Sequence, residues 1–372
     1  MATESWKRVL ISKVVYGLLR FILSPLKSAR HIDGAIYGCL RAISRKTNNF
    51  VMFTQKPILT ESINYKPLSN NDLGSLAIII QGPVKHENNF TLETVKLYQR
   101  HFKNAKIIVS TWDDEDTEAL EKLNITVIKS RKPEDGGVGN INMQTLSSIT
   151  GLKEASRKNC LYSMKTRSDQ RLYRTDIFQF FMALMKEFPL ENPYMLRQKE
   201  RIIFSQGTFP NSMLIPYHIC DFFFFGLTDD LISYLDYDME TFMKITKRLP
   251  ANKKPCVGEH FAMLAPEMMY PISYLGKQNV IVDVCNLGNS WEFITSYMIP
   301  VSLDDLNLLW YKYVRNCNES TLKNDYRSDD DTHFSTYTYN WTFKNWLCVR
   351  NKTIIMTREM AEFPLNEFKY TN

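Results

Sequence analysis

The stretch Tyr162-Ser-Met-Lys-Thr-Arg-Ser-Asp-Gln-Arg171 opens as an apolar approach and ends in three cations around one carboxylate. Such a cluster reads as an anion site. Two earlier β-type runs end in the same polar way: Leu76 to Ile80 closes in Gln81-Gly82-Pro83, and Ile107 to Ser110 closes in Thr111-Trp112-Asp113-Asp114. In a parallel α/β sheet, strand ends of this kind align along one edge, where ligands bind. The expectation is an edge that holds a nucleotide diphosphate and a divalent cation, Mn2+ or Mg2+, with Asp169 as the metal-facing carboxylate. One such carboxylate suffices when substrate phosphates complete the shell. If the segment is extended throughout, Lys165, Arg167, Asp169 and Arg171 share one face, because side chains alternate with period two. Four charges of mixed sign suit either a phosphate-and-metal site or an internal salt-bridge ladder. The site is favoured, since exposed pairs contribute only about 0–1 kcal/mol.

Outward from these runs, the pattern alternates. Thr91 can cap a helix on which Leu92, Val95, Tyr98 and Phe102 recur at helical spacing. A strand over 105–110, a short helix from Thr117 to Asn124 and a strand from Ile125 to Ile128 follow, in the manner of βαβ units. The loop Lys132-Pro-Glu-Asp-Gly-Gly-Val-Gly-Asn140 precedes Leu146, Ile149, Leu152 and Ala155 at helix spacing. Its amides suit either a phosphate cradle or a solvated connector, and it matches neither a P-loop nor a dinucleotide fingerprint. Farther on, Phe178 to Phe188 and Leu231 to Leu249 read as helical, while Ser212 to Pro216 and Phe222 to Phe225 read as buried strands. No internal repeat is visible.

Several carboxylates have two readings. Asp113 and Asp114 can accept a base or ribose hydrogen bond, or form a solvated acidic loop with Glu115 and Asp116. Glu259 can deprotonate an acceptor hydroxyl or cap the helix that follows it. Asp221 can be catalytic, or a capping or buried structural group. The chain has no Gly-x-Ser-x-Gly elbow, His-Glu-x-x-His or Walker motif, which points away from hydrolases, zincins and ordinary NTPases and toward group transfer.

Composition sets the outer bounds. The 372 residues, 44% hydrophobic and 23% charged, suit one large folded domain with terminal extensions. A net charge of +6 lacks the dense basic stripe of a nucleic-acid binder and suits small anionic substrates or an anionic membrane surface, so no nucleic-acid partner is expected. Cysteines at 39, 160, 220, 256, 285, 317 and 348 show no CxxC pair and no metal spacing, so reduced, mostly buried thiols in a cytosolic setting are expected, with no structural zinc. Five Asn-x-Ser/Thr sequons, at Asn89, Asn124, Asn318, Asn340 and Asn351, leave a lumenal setting open.

In residues 6–27, Leu10, Ile11, Val14, Val15, Leu18, Phe21 and Ile22 gather on one helix face and Lys13, Tyr16, Arg20 and Lys27 on the other. The charges interrupt any membrane-spanning run, so the face either lies on anionic lipid or packs on a protein core. Pro25 is expected to end the helix, and Pro67 to Gly74 reads as a linker. The expected divisions are 1–75, an N-terminal region and linker; 76–315, the catalytic domain; and 316–372, an aromatic-rich extension. Within that extension, Tyr337 to Trp346 is expected to pack on the catalytic domain.

Ile78-Ile-Ile-Gln-Gly-Pro83, Ser110-Thr-Trp112, Asn140-Ile-Asn-Met-Gln144 with Gly151-Leu152, Lys165-Thr-Arg-Ser-Asp169, Asp221 with its Phe run and Gly226, and Gly258-Glu259 occur in an order that resembles WavE-type proteins of lipopolysaccharide and capsule synthesis. The resemblance spans about residues 76–315; Met143 stands where a basic residue is expected. It implies a GT-A-like α/β domain with a mixed, mostly parallel sheet, and a glycosyltransferase that carries sugar from a nucleotide-sugar donor to a surface glycan or glycolipid. On that reading Gln81, Gly82, Asp113, Asn142, Gln144, Lys165, Arg167 and Arg171 bind donor, Asp169 holds metal, and Glu259 and Asp221 are catalytic. Ser168-Asp169-Gln170 would be a reduced Asp-x-Asp element. The implied location is the inner face of the bacterial cytoplasmic membrane, reached through residues 6–27. Two rival functions remain: transfer of an alcohol phosphate, such as glycerol phosphate, from a nucleotide-linked donor, and a non-catalytic membrane scaffold.

Overall fold

The computed structural model describes residues 2–25, 29–47, 56–63, 75–206, 211–246, 256–312 and 339–364. The expected linker Pro67 to Gly74, and Tyr337, lie outside the described residues. Contacts divide the chain into Met1–Pro57 and Ile58–Asn372. In the first unit, α1 (Ala2–Leu23) stops two residues before Pro25, which could not continue it, and α2 (Ala29–Thr47) follows. Val14, Val15, Leu18, Phe21 and Ile22 of α1 are all exposed, as are Lys13 and Arg20. No helix among the described residues is long and apolar enough to cross a membrane. Residues 1–57 carry ten Lys or Arg against two Asp or Glu, a local charge of +8 in a chain of net +6.

The second unit is built on a seven-stranded sheet in the order β3-β2-β1-β4-β7-β6-β8. Its strands are β1 (Leu76–Gln81), β2 (Lys106–Trp112), β3 (Thr126–Ser130), β4 (Tyr162–Arg167), β6 (Ile202–Ser205), β7 (Phe224–Leu227) and β8 (Met298–Val301). A separate pair joins β5 (Gln170–Leu172) to β9 (Leu308–Trp310). Every residue of β1 is buried, as a continuous apolar run covered on both faces must be. It pairs in parallel with β2 on one side and with β4 on the other. Only β7 runs antiparallel to its neighbours, so the sheet is mixed and mostly parallel, as expected.

Between the strands lie α3 (Phe90–His101), α4 (Glu118–Glu121), α5 (Ile141–Arg157), α6 (Ile177–Glu187), α7 (Thr228–Leu235), α8 (Met239–Thr246), α9 (Val257–Ala262), α10 (Pro266–Lys277) and α11 (Leu287–Tyr297). The chain closes with α12 (Phe343–Arg350) and α13 (Arg358–Ala361). Trp341 and Trp346 are buried, and Trp346 meets Phe188 and Phe343, so these tail aromatics join the core as expected. The residues just after Pro57 are also tied in: Arg171 Nη1 donates to the Ile58 carbonyl at 2.8 Å and Thr60 Oγ1 to Glu93 at 2.9 Å.

Two expectations need correction. Ser212–Leu214 is one 3-10 turn rather than a strand, because Asn211 adopts a positive φ and the Leu214 amide bonds back to its carbonyl; the neighbouring strand is shifted to Phe224–Leu227. The cysteines are not all separate thiols. Cys256 and Cys285, 29 residues apart, form a disulfide, whereas Cys160 and Cys220 are buried and free.

Helix α5 lies against β1 and β2 at Gly151, where a Cβ would stand 2.4 Å from Ile79 Cγ2 and 3.4 Å from Ser110 Cβ. Gly151→Ala should gain about 1 kcal/mol of helix propensity and lose more than that to overpacking, which costs about 1–3 kcal/mol. Urea unfolding should therefore show a net loss of about 1–2 kcal/mol, and a more stable variant would contradict the close approach.

Candidate active site at the β1–β4 edge

The chain leaves β1 outward to β2 and β3, then returns to the other side of β1 as β4. In open α/β sheets, the crevice at such a reversal, beyond the carboxyl ends of the strands, is where ligands bind. Gln81 pairs with Arg167 across this point. Gly82 follows with φ +107°, a conformation few other residues accept, and its amide bonds the Ser110 carbonyl of β2. Ser168 then turns the chain. Its amide donates to the Gln81 carbonyl at 2.9 Å, its hydroxyl to the Pro83 carbonyl at 2.6 Å, and its own carbonyl accepts from Thr91 Oγ1 at 2.9 Å.

This turn corrects the idea of one extended face from Lys165 to Arg171, since β4 ends at Arg167 and β5 begins at Gln170. Arg167 and Asp169 stay at the edge. Arg167 Nε donates to Asp169 Oδ1 at 3.0 Å, Trp310 Nε1 donates to Oδ2 at 3.0 Å, and the guanidinium lies 5.4 Å from the Trp310 ring centroid. The Tyr311 amide donates to the Asp169 carbonyl at 2.8 Å, and Asn88 bonds the Tyr311 hydroxyl. Asp169 is nearly buried, whereas the Arg167 side chain keeps 28% exposure.

Arg171 turns inward. Fully buried, it donates to Thr94 Oγ1, the Ile58 and Phe90 carbonyls and the Tyr173 hydroxyl, and stacks 4.3 Å from the Phe90 centroid. Its role is to hold the fold, and the expected donor contact is corrected accordingly. Lys165 is likewise buried, with Nζ donating to the Asp221 carbonyl. Burial pushes its ammonium down to about 8.

Asp221 reaches this edge because it precedes the antiparallel strand β7, whose Phe224 pairs with Lys165. Beside it lies Glu267 in the first turn of α10, a residue with no sequence signal beyond its place after Pro266. Glu267 retains some solvent contact, but its carboxyl faces packed protein, and burial with the nearby Asp221 charge raises it to about 8. On the same helix, the Tyr270 hydroxyl bonds Thr145 of α5 at 3.0 Å, and Pro266 lies where a Cβ on Gly139 would fall, so α10 closes on the head of α5.

The other expected site residues are more dispersed. Gln81 is buried with Oε1 accepting from Ser147 at 2.7 Å. Asn142 and Gln144 bond the carbonyls of Asp135 and Gly139, bracing the glycine loop. Asp113 is exposed at the end of β2, and Asp114 pairs with Lys132, which lowers its pKa. Glu259 forms a capping box, one carboxylate oxygen accepting the Cys256 amide at 2.8 Å.

A divalent cation is tested by its donors. Both Asp169 oxygens already accept hydrogen bonds, and among the described residues no set of three carboxylate, imidazole or thiol ligands converges at this edge. The edge thus offers a guanidinium anchored by a carboxylate and no three-ligand cage; a cation here would rest on Asp169 alone, with donor phosphates completing its shell.

Residues 76–267 match the family described as WavE lipopolysaccharide synthesis, over half of the chain. The chain belongs to this family. The WavE match begins at β1 and ends at Glu267, so it includes the β1–β4 edge and Asp221 but not Trp310. No curated protein is similar in sequence. Similar solved structures include the mannose-1-phosphate geranyltransferase of Thermus thermophilus, at 10% identity and a TM-score of 0.29 over 52% of this chain and 69% of that one. This WavE protein and that enzyme are thus only loosely alike.

Glu267 makes the stability of the fold depend on pH. An acid whose folded pKa lies above its unfolded value binds more protons when folded, so stability falls as pH rises from about 4.5 to about 8. The slope from this group should be roughly 1 kcal/mol per pH unit. Glu267→Gln should flatten the decline in Tm across that window; an unchanged pH profile would remove Glu267 from the buried pair.

Proposed function

We propose that this chain is a glycosyltransferase that moves a sugar from a nucleotide-sugar donor to a lipopolysaccharide or capsule acceptor, on a GT-A-like domain. The observation that carries this reading is the Gln81–Arg167 pairing at the strand-order reversal, which sets a part-exposed guanidinium at the kind of edge where open α/β sheets bind ligands. Family membership in lipopolysaccharide synthesis agrees with it.

On this reading the donor diphosphate meets Arg167, whose planar fork suits phosphate oxygens. Asp169 and Trp310 hold the guanidinium in place before the donor arrives. Asp113, at the end of β2, is the group we assign to base or ribose. As the acceptor hydroxyl oxygen bonds to the anomeric carbon, the bond to the diphosphate oxygen breaks and its electron pair leaves with the diphosphate. Arg167 offsets that charge. We assign Asp221 to take the hydroxyl proton, since it precedes β7, whose Phe224 pairs with Lys165 of β4, whereas Glu259 heads α9.

Isothermal calorimetry with nucleoside diphosphates tests the site. Arg167→Ala should weaken binding by at least about tenfold, the scale of one lost charge-assisted contact. Binding should persist in EDTA, because the charge offset comes from the chain. Full affinity in the variant, or loss of binding in EDTA, would count against this assignment.

A membrane-surface acceptor is supported by the first 57 residues, where a local +8 charge accompanies the exposed apolar residues of α1. The full chain should sediment with vesicles containing phosphatidylglycerol and less with neutral vesicles. Phe21→Asp together with Arg20→Glu should reduce that sedimentation several-fold, and 0.5 M salt should weaken it.

A further inference from the structure

The disulfide region holds more than a cross-link. Cys256, Glu259 and Cys285 bring two sulfurs and a carboxylate oxygen within 4.8 Å of one another. The approach is built in. Gly258 sits so close to the turn before α11 that a Cβ there would lie 1.7 Å from the Val284 carbonyl oxygen, so the absence of a side chain lets the head of α9 reach Cys285. The Cys256 amide fixes the Glu259 carboxylate at 2.8 Å, and Asp283 fixes the Cys285 amide at 2.9 Å. Both cysteines also line a cavity of about 220 Å3 with Leu214, Pro216 and Glu362.

We propose that the reduced form of this cluster is a zinc site, with the Cys256 and Cys285 thiolates and Glu259 as ligands and the disulfide as its closed, metal-free state. This is independent of the transferase reading. Two thiolates and a carboxylate are a donor set that zinc accepts, with ligand atoms roughly 3.5–3.8 Å apart in a tetrahedral shell, so the sulfurs need only separate modestly after reduction. A fourth ligand can enter from the cavity, either water or the carboxylate of Glu362, which pairs with Arg358 at 2.9 Å. The chemistry balances. A cellular dithiol reduces the sulfur–sulfur bond with two electrons and becomes a disulfide itself, leaving two thiols; Zn2+ then displaces their two protons to solvent.

The test uses the full chain, oxidised or reduced with a phosphine under argon, with Zn2+ as probe and a chromophoric chelator as competitor. The reduced protein should retain one Zn2+ per chain and the oxidised protein none. Cys285→Ser and Glu259→Gln, each reduced, should lose at least tenfold in affinity, and Co2+ in place of zinc should give a thiolate-to-metal charge-transfer band that Cys285→Ser abolishes. The proposal is overturned if the reduced wild type retains no zinc, if Cys285→Ser retains it equally through the other cysteines, or if reduction unfolds the chain by circular dichroism.

Discussion

The second unit depends on the double pairing of β1. A six-residue strand that is buried throughout can satisfy its amides and carbonyls only through neighbours on both sides, and here those neighbours are β2 and β4. Inserting β4 beside β1, after β2 and β3 have been laid down on the other side, opens the crevice. Everything at the candidate site is hung from that junction: the Gly82 turn, the Ser168 turn tied to it, and Arg167 opposite Gln81.

Charge at this junction is handled in layers. Arg171 and Lys165 are buried and bonded to protein carbonyls or hydroxyls, so their cost of desolvation is met within the fold. Arg167 remains the part-exposed cation, and its partner Asp169 is itself fixed by an indole from the other end of the unit. A carboxylate bound on both oxygens acts as a positioning group for the guanidinium. Farther in, burial and the nearby Asp221 charge hold the Glu267 carboxyl above its ordinary range.

Much of the sheet was legible because continuous apolar runs such as Leu76 to Ile80 have few other uses, and because Gln81-Gly82-Pro83 and Thr111-Trp112-Asp113 stop them abruptly. What could not be read was long-range. Period two predicted a shared face for Lys165 and Arg171, but Ser168 bonds to the end of β1, and that contact bends the chain between them. Trp310 has no local mark that ties it to Asp169. Glu267 reads locally as an acid in a first helical turn, and only its closeness to Asp221 alters its chemistry. Cys256 and Cys285 lack a motif spacing and meet only because Gly258 allows two backbones to touch.

The bond between Trp310 and Asp169 spans 141 residues of chain. Closing so long a loop costs entropy before any contact repays it, which places this junction among the last parts to consolidate as the chain folds. A nascent chain that has emerged only through Glu267 would already contain the whole family-matched segment yet hold its arginine without the indole that orients it. The guanidinium of Arg167 would then take its set position only after β9 has emerged and closed on β5.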